Sequence, residues 1–206
     1  MDQGEPAEDS SHDMKGQQVE TAELITYLLG TLHRDLGRTR LLKLLYLADL
    51  EARKYLGHPI SRLHYRRYLH GPFDSAIYRA IEHLVDHGAI SAHEHRGPER
   101  DRVLVKYRLT RQRPERRIPA TYRSILDYVA REFGARPMQA LLQHVYSTPP
   151  MEGNIPIEAP LPMNRVDRIG IRALGGIDLN TLLRAESDRA AGRARPLDEA
   201  RRELCG

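Results

Sequence analysis

Residues 41–90 read LLKLLYLADLEARKYLGHPISRLHYRRYLHGPFDSAIYRAIEHLVDHGAI, and this stretch decides the fold. Leu41, Leu44, Leu45, Ala48, Ala52 and Tyr55 recur at helical spacing and form one apolar stripe. Leu42, Tyr46 and Leu47 widen the stripe, so the spacing predicts a central helix rather than a surface one. Thr39 offers its N-cap, and Gly57 with Pro59 ends it. Residues 60–71 have no clear period. Gly71-Pro72 forces a turn, and Pro72 is placed to start the next helix. That helix carries Ile77, Ala80, Ile81, Leu84 and Val85 on one face and closes at Gly88.

Working outward, a first helix is expected from Val19 to Leu36, with Leu24, Tyr27, Leu28 and Leu32 on one face and Gly37 as its C′ glycine. On the other side, Ala89 to His95 alternates weakly, Gly97-Pro98 marks a turn, and Val103, Val105, Tyr107 and Leu109 alternate cleanly. Together they predict a β-hairpin, or wing, at 89–109. A helix follows from Pro119 to Phe133 (Tyr122, Ile125, Leu126, Val129), and Pro137 opens another carrying Leu141, Leu142 and Val145. Pro149-Pro150 stops it. The expected fold is mainly α: a compact bundle of about five helices with one small β-hairpin, in a winged-helix-like order. The expected divisions are a disordered acidic tail over 1–18, a domain over 19–150, and a Pro-rich extended tail over 151–206. Short helices are expected in that tail near Leu179–Arg184 and Leu197–Leu204.

The 206 residues suit one domain with appendages. Of 32 basic residues 28 are Arg, which supplies bidentate, weakly hydrated contact groups. A net charge of +4 is too mild to name a nucleic-acid partner, but its distribution is uneven. Residues 1–23 carry seven acids and one base, whereas residues 96–123 carry ten bases and three acids. The basic segment is therefore expected to attract acidic surface, on a partner or on the chain's own tail. The lone cysteine, Cys205, excludes a disulfide framework or a cysteine metal cluster within the chain and favours a cytoplasmic location. No apolar run approaches the roughly 20 residues that span a bilayer. The polar, acidic start does not read as a signal peptide.

The stretch 41–90 resembles the Panacea domain, the SocA-like antitoxin domain of bacterial and phage toxin–antitoxin systems. The matching residues are Lys43, Leu44, Leu45, Tyr46, Ala48 and Asp49, then Gly57, Pro59 and Ile60, then Gly71, Pro72, Tyr78, Leu84, Gly88 and Ile90. Their order and spacing carry the resemblance, which extends loosely to the helix at Leu141–Tyr146. It implies a mostly helical, non-enzymatic module that neutralises a cognate protein toxin by direct binding, by blocking it or by delivering it for proteolysis. Family members often carry a separate DNA-binding domain. Only about twenty residues precede the first helix here, which leaves operon autoregulation without its usual vehicle.

No phosphate-binding glycine loop, nucleophile elbow or dinucleotide fingerprint is present in the sequence, and no cofactor is implied. His83 and His87 share a helical face, and His93 and His95 share a strand face. They are either solvated histidines or zinc ligands, if the hairpin folds over the helix end. Asp49, at the edge of the central stripe, reads as a hydrogen-bonded aspartate before it reads as a catalytic one. Two functional readings remain. In the first, Tyr65, Arg66, Arg67, Tyr68 and Phe73 form a Tyr/Arg-rich connector of the composition that dominates protein interfaces. In that connector either Tyr65 or Tyr68 is expected to face the core. Arg66 and Arg67, as neighbours, should point to opposite sides. In the second, a winged helix binds DNA, with Arg100, Arg102, Lys106, Arg108, Arg111, Arg113, Arg116 and Arg117 neutralising phosphates. Against it, the helix that would read the groove offers only Arg79, beside Glu82 and Asp86.

Overall fold

The computed structural model describes residues 18–96, 103–110, 118–170 and 173–192. The chain runs α1 (Thr21–Leu32), β1 (Leu36–Gly37), α2 (Arg38–Leu56), β2 (Arg66–Tyr68), β3 (Gly71–Phe73), α3 (Ala76–Asp86), β4 (Ile90–Arg96) and β5 (Val103–Leu109). It continues through α4 (Ala120–Phe133), α5 (Met138–Tyr146), β6 (Ala173–Leu174), β7 (Ile177–Asp178) and α6 (Leu179–Ala190). The protein is mainly α, as its periodicity requires. Helix α2 is central: Leu41, Leu44, Leu45, Ala48 and Ala52 are buried together with Leu42, Tyr46 and Leu47. It packs against α1, α4 and α5. Helix α3 contributes Ile77, Ile81 and Leu84 to the same core, and α4 contributes Ile125, Leu126 and Val129.

Several expectations are corrected. Among the described residues there are six α-helices, five of them between Thr21 and Tyr146. The first ends early, because His33 takes a left-handed conformation (φ 47°) and its amide caps on the Leu29 carbonyl. Gly37 therefore does not close α1; it is the extended N-cap residue of α2, displacing Thr39 from that place. Residues 36–37 form strand β1, which pairs antiparallel with β5 (Leu36 with Tyr107), so the predicted hairpin becomes a three-stranded sheet in the order β1-β5-β4. The turn of that hairpin lies outside the described residues. Its strands pair in one register from Ile90–Leu109 to Arg96–Val103.

Pro72 does not start a helix. It sits in β3, opposite Arg67 of β2, and α3 begins only at Ala76, whose amide donates to Asp74 Oδ1 at 2.8 Å. Proline's fixed φ suits a strand as well as a helix start, and the β2 partner decides between them.

The chain after Pro150 is not an extended tail. Residues 158–161 run antiparallel along the free edge of β2: the Arg67 amide donates to Ala159 O, the Glu158 amide to Arg67 O, and the Leu161 amide to Tyr65 O. Met151, Leu161, Leu174 and Leu179 are buried. The Ile169 amide donates to Lys54 O near the end of α2, and Glu186 of α6 accepts from Thr121 N (3.1 Å) and Thr121 Oγ1 (2.7 Å) at the start of α4. Prolines forbid a helix over this stretch but leave its carbonyls free to accept from a neighbouring strand edge. The helix expected near Leu179 is α6. The one near Leu197 and the acidic tail before residue 18 lie outside the described residues. No described helix is long and apolar enough to cross a membrane.

Candidate functional site

Three polar side chains of α2, at intervals of three residues, point to one side and are buried there: Lys43, Tyr46 and Asp49. Each holds a different segment of the chain. Asp49 is fully buried and accepts four bonds, from Ile60 N (2.9 Å), Ser61 N (2.8 Å), Ser61 Oγ, and Tyr65 OH (2.8 Å). Burial pushes its carboxyl above the ordinary range, and the four donors oppose that shift. Tyr46 OH lies 2.7 Å from Thr148 Oγ1. Because Thr148 Oγ1 itself donates to Val145 O, the phenol is the donor of this pair. The Tyr46 and Tyr65 rings meet edge to face at 5.2 Å. Lys43 Nζ donates to Pro72 O at 2.6 Å, and desolvation pulls its pKa down to about 8. Gly71, next to that carbonyl, has φ +91°, and a Cβ there would lie 3.4 Å from Lys43 Nζ. The left-handed backbone calls for a glycine there, while the space itself would admit a Cβ. Asp49 is thus a structural acceptor, the hydrogen-bonded alternative of the two weighed for it.

The connector held by these groups presents the Tyr/Arg segment. Along residues 61–66 the buried side chains Ser61, Leu63 and Tyr65 alternate with exposed Arg62, His64 and Arg66. Tyr65 leaves the candidate surface: it is 3% exposed, and its hydroxyl is committed to Asp49. Of the two tyrosines, it is the one that faces in. The hairpin β2–β3 then separates the neighbouring arginines, as an extended strand must. Arg67 turns inward, with Nη1 3.4 Å from Met151 O and its guanidinium carbon 5.5 Å from the Tyr146 ring centre. Arg66 turns outward on the same face as its register partner Phe73 and as Tyr68. The Tyr68 and Phe73 rings are 5.0 Å apart, Phe73 and Tyr78 are 5.6 Å apart, and the Arg38 guanidinium sits 3.9 Å over Tyr78. The outer face is a row of three aromatic rings, with Arg38 over the last ring and Arg66 across the strand pair from the middle one. Tyr78 and Arg38 belong to it although no periodicity of the connector marks them, because they come from α3 and from the start of α2.

The second predicted site is divided. Arg100, Arg102, Arg111, Arg113, Arg116 and Arg117 lie outside the described residues; Lys106 and Arg108 are on β5. Arg108 does not stand free for a phosphate. It makes a two-pronged ion pair with Asp35 (Nε–Oδ1 2.6 Å, Nη2–Oδ2 3.0 Å), whose hydrogen bond holds the Asp35 carboxyl below the usual carboxylate range. This pair lines an open groove of about 550 Å3 between the end of α1 and β5. The four histidines do not converge. His83 and His87 stack at 4.1 Å, with His87 Nδ1 2.8 Å from the His83 carbonyl, whereas His93 Nε2 lies 2.8 Å from Ser91 Oγ. Among the described residues no three His, Cys, Asp or Glu side chains gather as a metal site needs.

A family model described as the antitoxin SocA-like Panacea domain matches residues 41–150. No curated protein and no solved structure matches the chain.

Proposed function

The chain belongs to the family of antitoxin SocA-like Panacea domains, and from that premise we propose that it binds a protein toxin directly and suppresses it without catalysing a reaction. The outer face of β2–β3 carries this reading. Arg66, Tyr68 and Phe73 are presented side by side on a hairpin whose carbonyl at Pro72 is tied to α2 and whose β2 edge is tied to residues 158–161. Large aromatic rings with arginines at their border bury area with few rotors and keep a polar end for the partner, which is the chemistry of interface anchors. A scaffold that holds the hairpin in advance lowers the ordering cost of binding.

The experiment is co-expression with the adjacent gene product that is toxic on its own. Wild type should rescue growth. Arg66→Ala/Tyr68→Ala should lose roughly 2 kcal/mol or more of affinity, about thirtyfold, with thermal unfolding unchanged. Phe73→Ala should lose as much while remaining folded, at some cost in stability because the ring packs partly against the core. Full rescue and wild-type affinity in all these variants would remove the hairpin from the interface. Toxin abundance in the rescued strain separates the two modes: a steady level means the toxin is blocked, and a falling level means it is delivered to a protease.

One observation favours the DNA-binding reading as a second. A short strand between the first two helices pairs with the second strand of a hairpin that follows the third, which resembles a winged helix although the hairpin β2–β3 interrupts the order. The charges weigh against it, since Arg108 is committed to Asp35 and Arg38 to Tyr78. Tight, salt-sensitive binding to duplex DNA, with no rescue of any adjacent toxic gene, would favour it.

A further inference from the structure

Four of the six most exposed large hydrophobic side chains among the described residues meet at one end of the molecule: Leu69 (68% exposed), Ile157 (51%), Tyr68 (39%) and Tyr146 (37%). Hydrogen bonds show that they adjoin. Leu69 is in the turn between β2 and β3, and Tyr146 at the end of α5 donates its hydroxyl to Leu69 O at 3.2 Å. The Glu158 amide donates to Arg67 O at 2.7 Å, so Ile157, one residue earlier, flanks the hairpin tip from the other side. Single exposed apolar residues are ordinary on a surface; a contiguous group is not.

The turn that presents Ile157 is a built feature. The Ala159 amide closes it on Pro156 O, and Glu158 adopts φ +67°, a left-handed conformation that a non-glycine residue holds only when its surroundings require it. Its surroundings do so from both sides, since the Glu158 amide bonds Arg67 O and its carbonyl accepts from Arg66 Nη1 at 3.1 Å. The family match ends at residue 150, so this turn comes from the part of the chain outside it.

We propose that the partner-binding surface is composite: the strap turn with Ile157, the hairpin tip with Leu69, and Tyr146 of α5 extend the outer face of β2–β3, and together they take an apolar segment of the toxin that brings a carboxylate to Arg66. This rests on the antitoxin reading above. The chemistry of the occupant follows from the border of the patch. Arg66 holds only a neutral carbonyl, and Arg67 reaches a carbonyl and a ring; neither meets a carboxylate among the described residues. An acidic group beside an apolar anchor complements that border. The apolar residues supply desolvation around the charge pair, where it is worth most.

The test uses the full chain and the purified toxin from the co-expression experiment, with affinity read by titration calorimetry. Ile157→Asp and Leu69→Asp should each weaken binding at least about tenfold, with unchanged thermal unfolding. Ile157→Ser provides a milder check on the same position. Ile169→Asp is the control: Ile169 is also exposed, at 38%, but its amide bonds Lys54 O near the end of α2, so binding should not change. If Ile157→Asp and Leu69→Asp bind like wild type while Arg66→Ala/Tyr68→Ala does not, the composite surface is wrong and the hairpin reading stands. If all of them bind like wild type, both are wrong. If the free wild-type chain is a dimer by light scattering and Ile157→Asp makes it a monomer, the patch belongs to a second copy and the proposal is overturned.

Discussion

Tyr65 and Tyr68 are three residues apart in one connector, and they have opposite uses. Tyr65 lies with Lys43, Tyr46 and Asp49 in a buried polar cluster, while Tyr68 stands with Arg66 and Phe73 on the outer face of β2–β3. In the buried region each polar group is bonded at 2.6 to 2.9 Å or closer, since an unpaired one there would cost 1–3 kcal/mol. In the outer region rings stack on rings and the arginines meet carbonyls or a ring face. Residue type therefore does not separate scaffold from surface in this chain; the partner of each polar atom does. Lys43, Tyr46 and Asp49 lie within the family-matched region, and each ties a separate segment of the chain to one helix.

The sharpest way to break this contrast is Asp49→Ala. It leaves two amides and two hydroxyls without their acceptor, and should destabilise the protein by about 3–5 kcal/mol in urea unfolding. A loss near zero would mean that the connector does not depend on the buried cluster. Leu45, 1% exposed on the apolar stripe of α2, gives a comparison free of polar effects: Leu45→Ala should cost on the order of 2–5 kcal/mol.

Lys43 supplies a pH signature. Its folded pKa, about 8, is below its ordinary value of 10.5, so between those two values the unfolded chain holds a proton that the folded one has lost. Its contribution to stability must then rise as pH increases across that window, and below pH 8 the burial penalty is present in full. Lys43→Met should flatten this rise, seen as superimposable unfolding midpoints at pH 8 and pH 10 after subtraction of the other titrating groups. A rise that persists in the variant would move its source elsewhere.

Tyr46→Phe removes one donor and leaves the ring in place. A loss of about 1 kcal/mol is expected, with the Thr148 hydroxyl still bonded to Val145 O. At the small end stands Tyr68→Ala, which should cost less than about 1 kcal/mol of stability while weakening partner binding strongly. A stability loss as large as that of Asp49→Ala would make Tyr68 a scaffold residue and erase the distinction from Tyr65.

Much of the fold was legible because it is local. The apolar periods of α2, α3 and α4 match their buried faces, and the β4–β5 alternation matches its strands. The errors share one cause. Strand β1 is two residues long and exists only because β5, seventy residues later, accepts it. The proline-rich chain after Pro149 shows no period, yet the amides of Glu158 and Leu161 and the carbonyl of Ala159 complete the β2 edge. Of the candidate contact set, Arg66, Tyr68 and Phe73 share the outer face, Arg67 turns inward, and Tyr65 is buried. Leu69, Ile157 and Arg38 carried no signal of their own, and Tyr78 and Tyr146 carried only the family resemblance, because the five come together from separate segments.

By itself, then, the sequence determined the helices and the family, since a repeating apolar face and an ordered set of motif residues are properties of neighbours along the chain. It also determined that Arg66 and Arg67 must diverge, because successive residues of an extended chain do. Only the tertiary structure decided which of the two faces water, which tyrosine is bonded to Asp49, and that the chain after Pro150 returns to the hairpin. Those outcomes depend on which distant backbone edge or carboxylate occupies the other side of each residue. Alternation along a strand fixes two faces but leaves open which of them is inside.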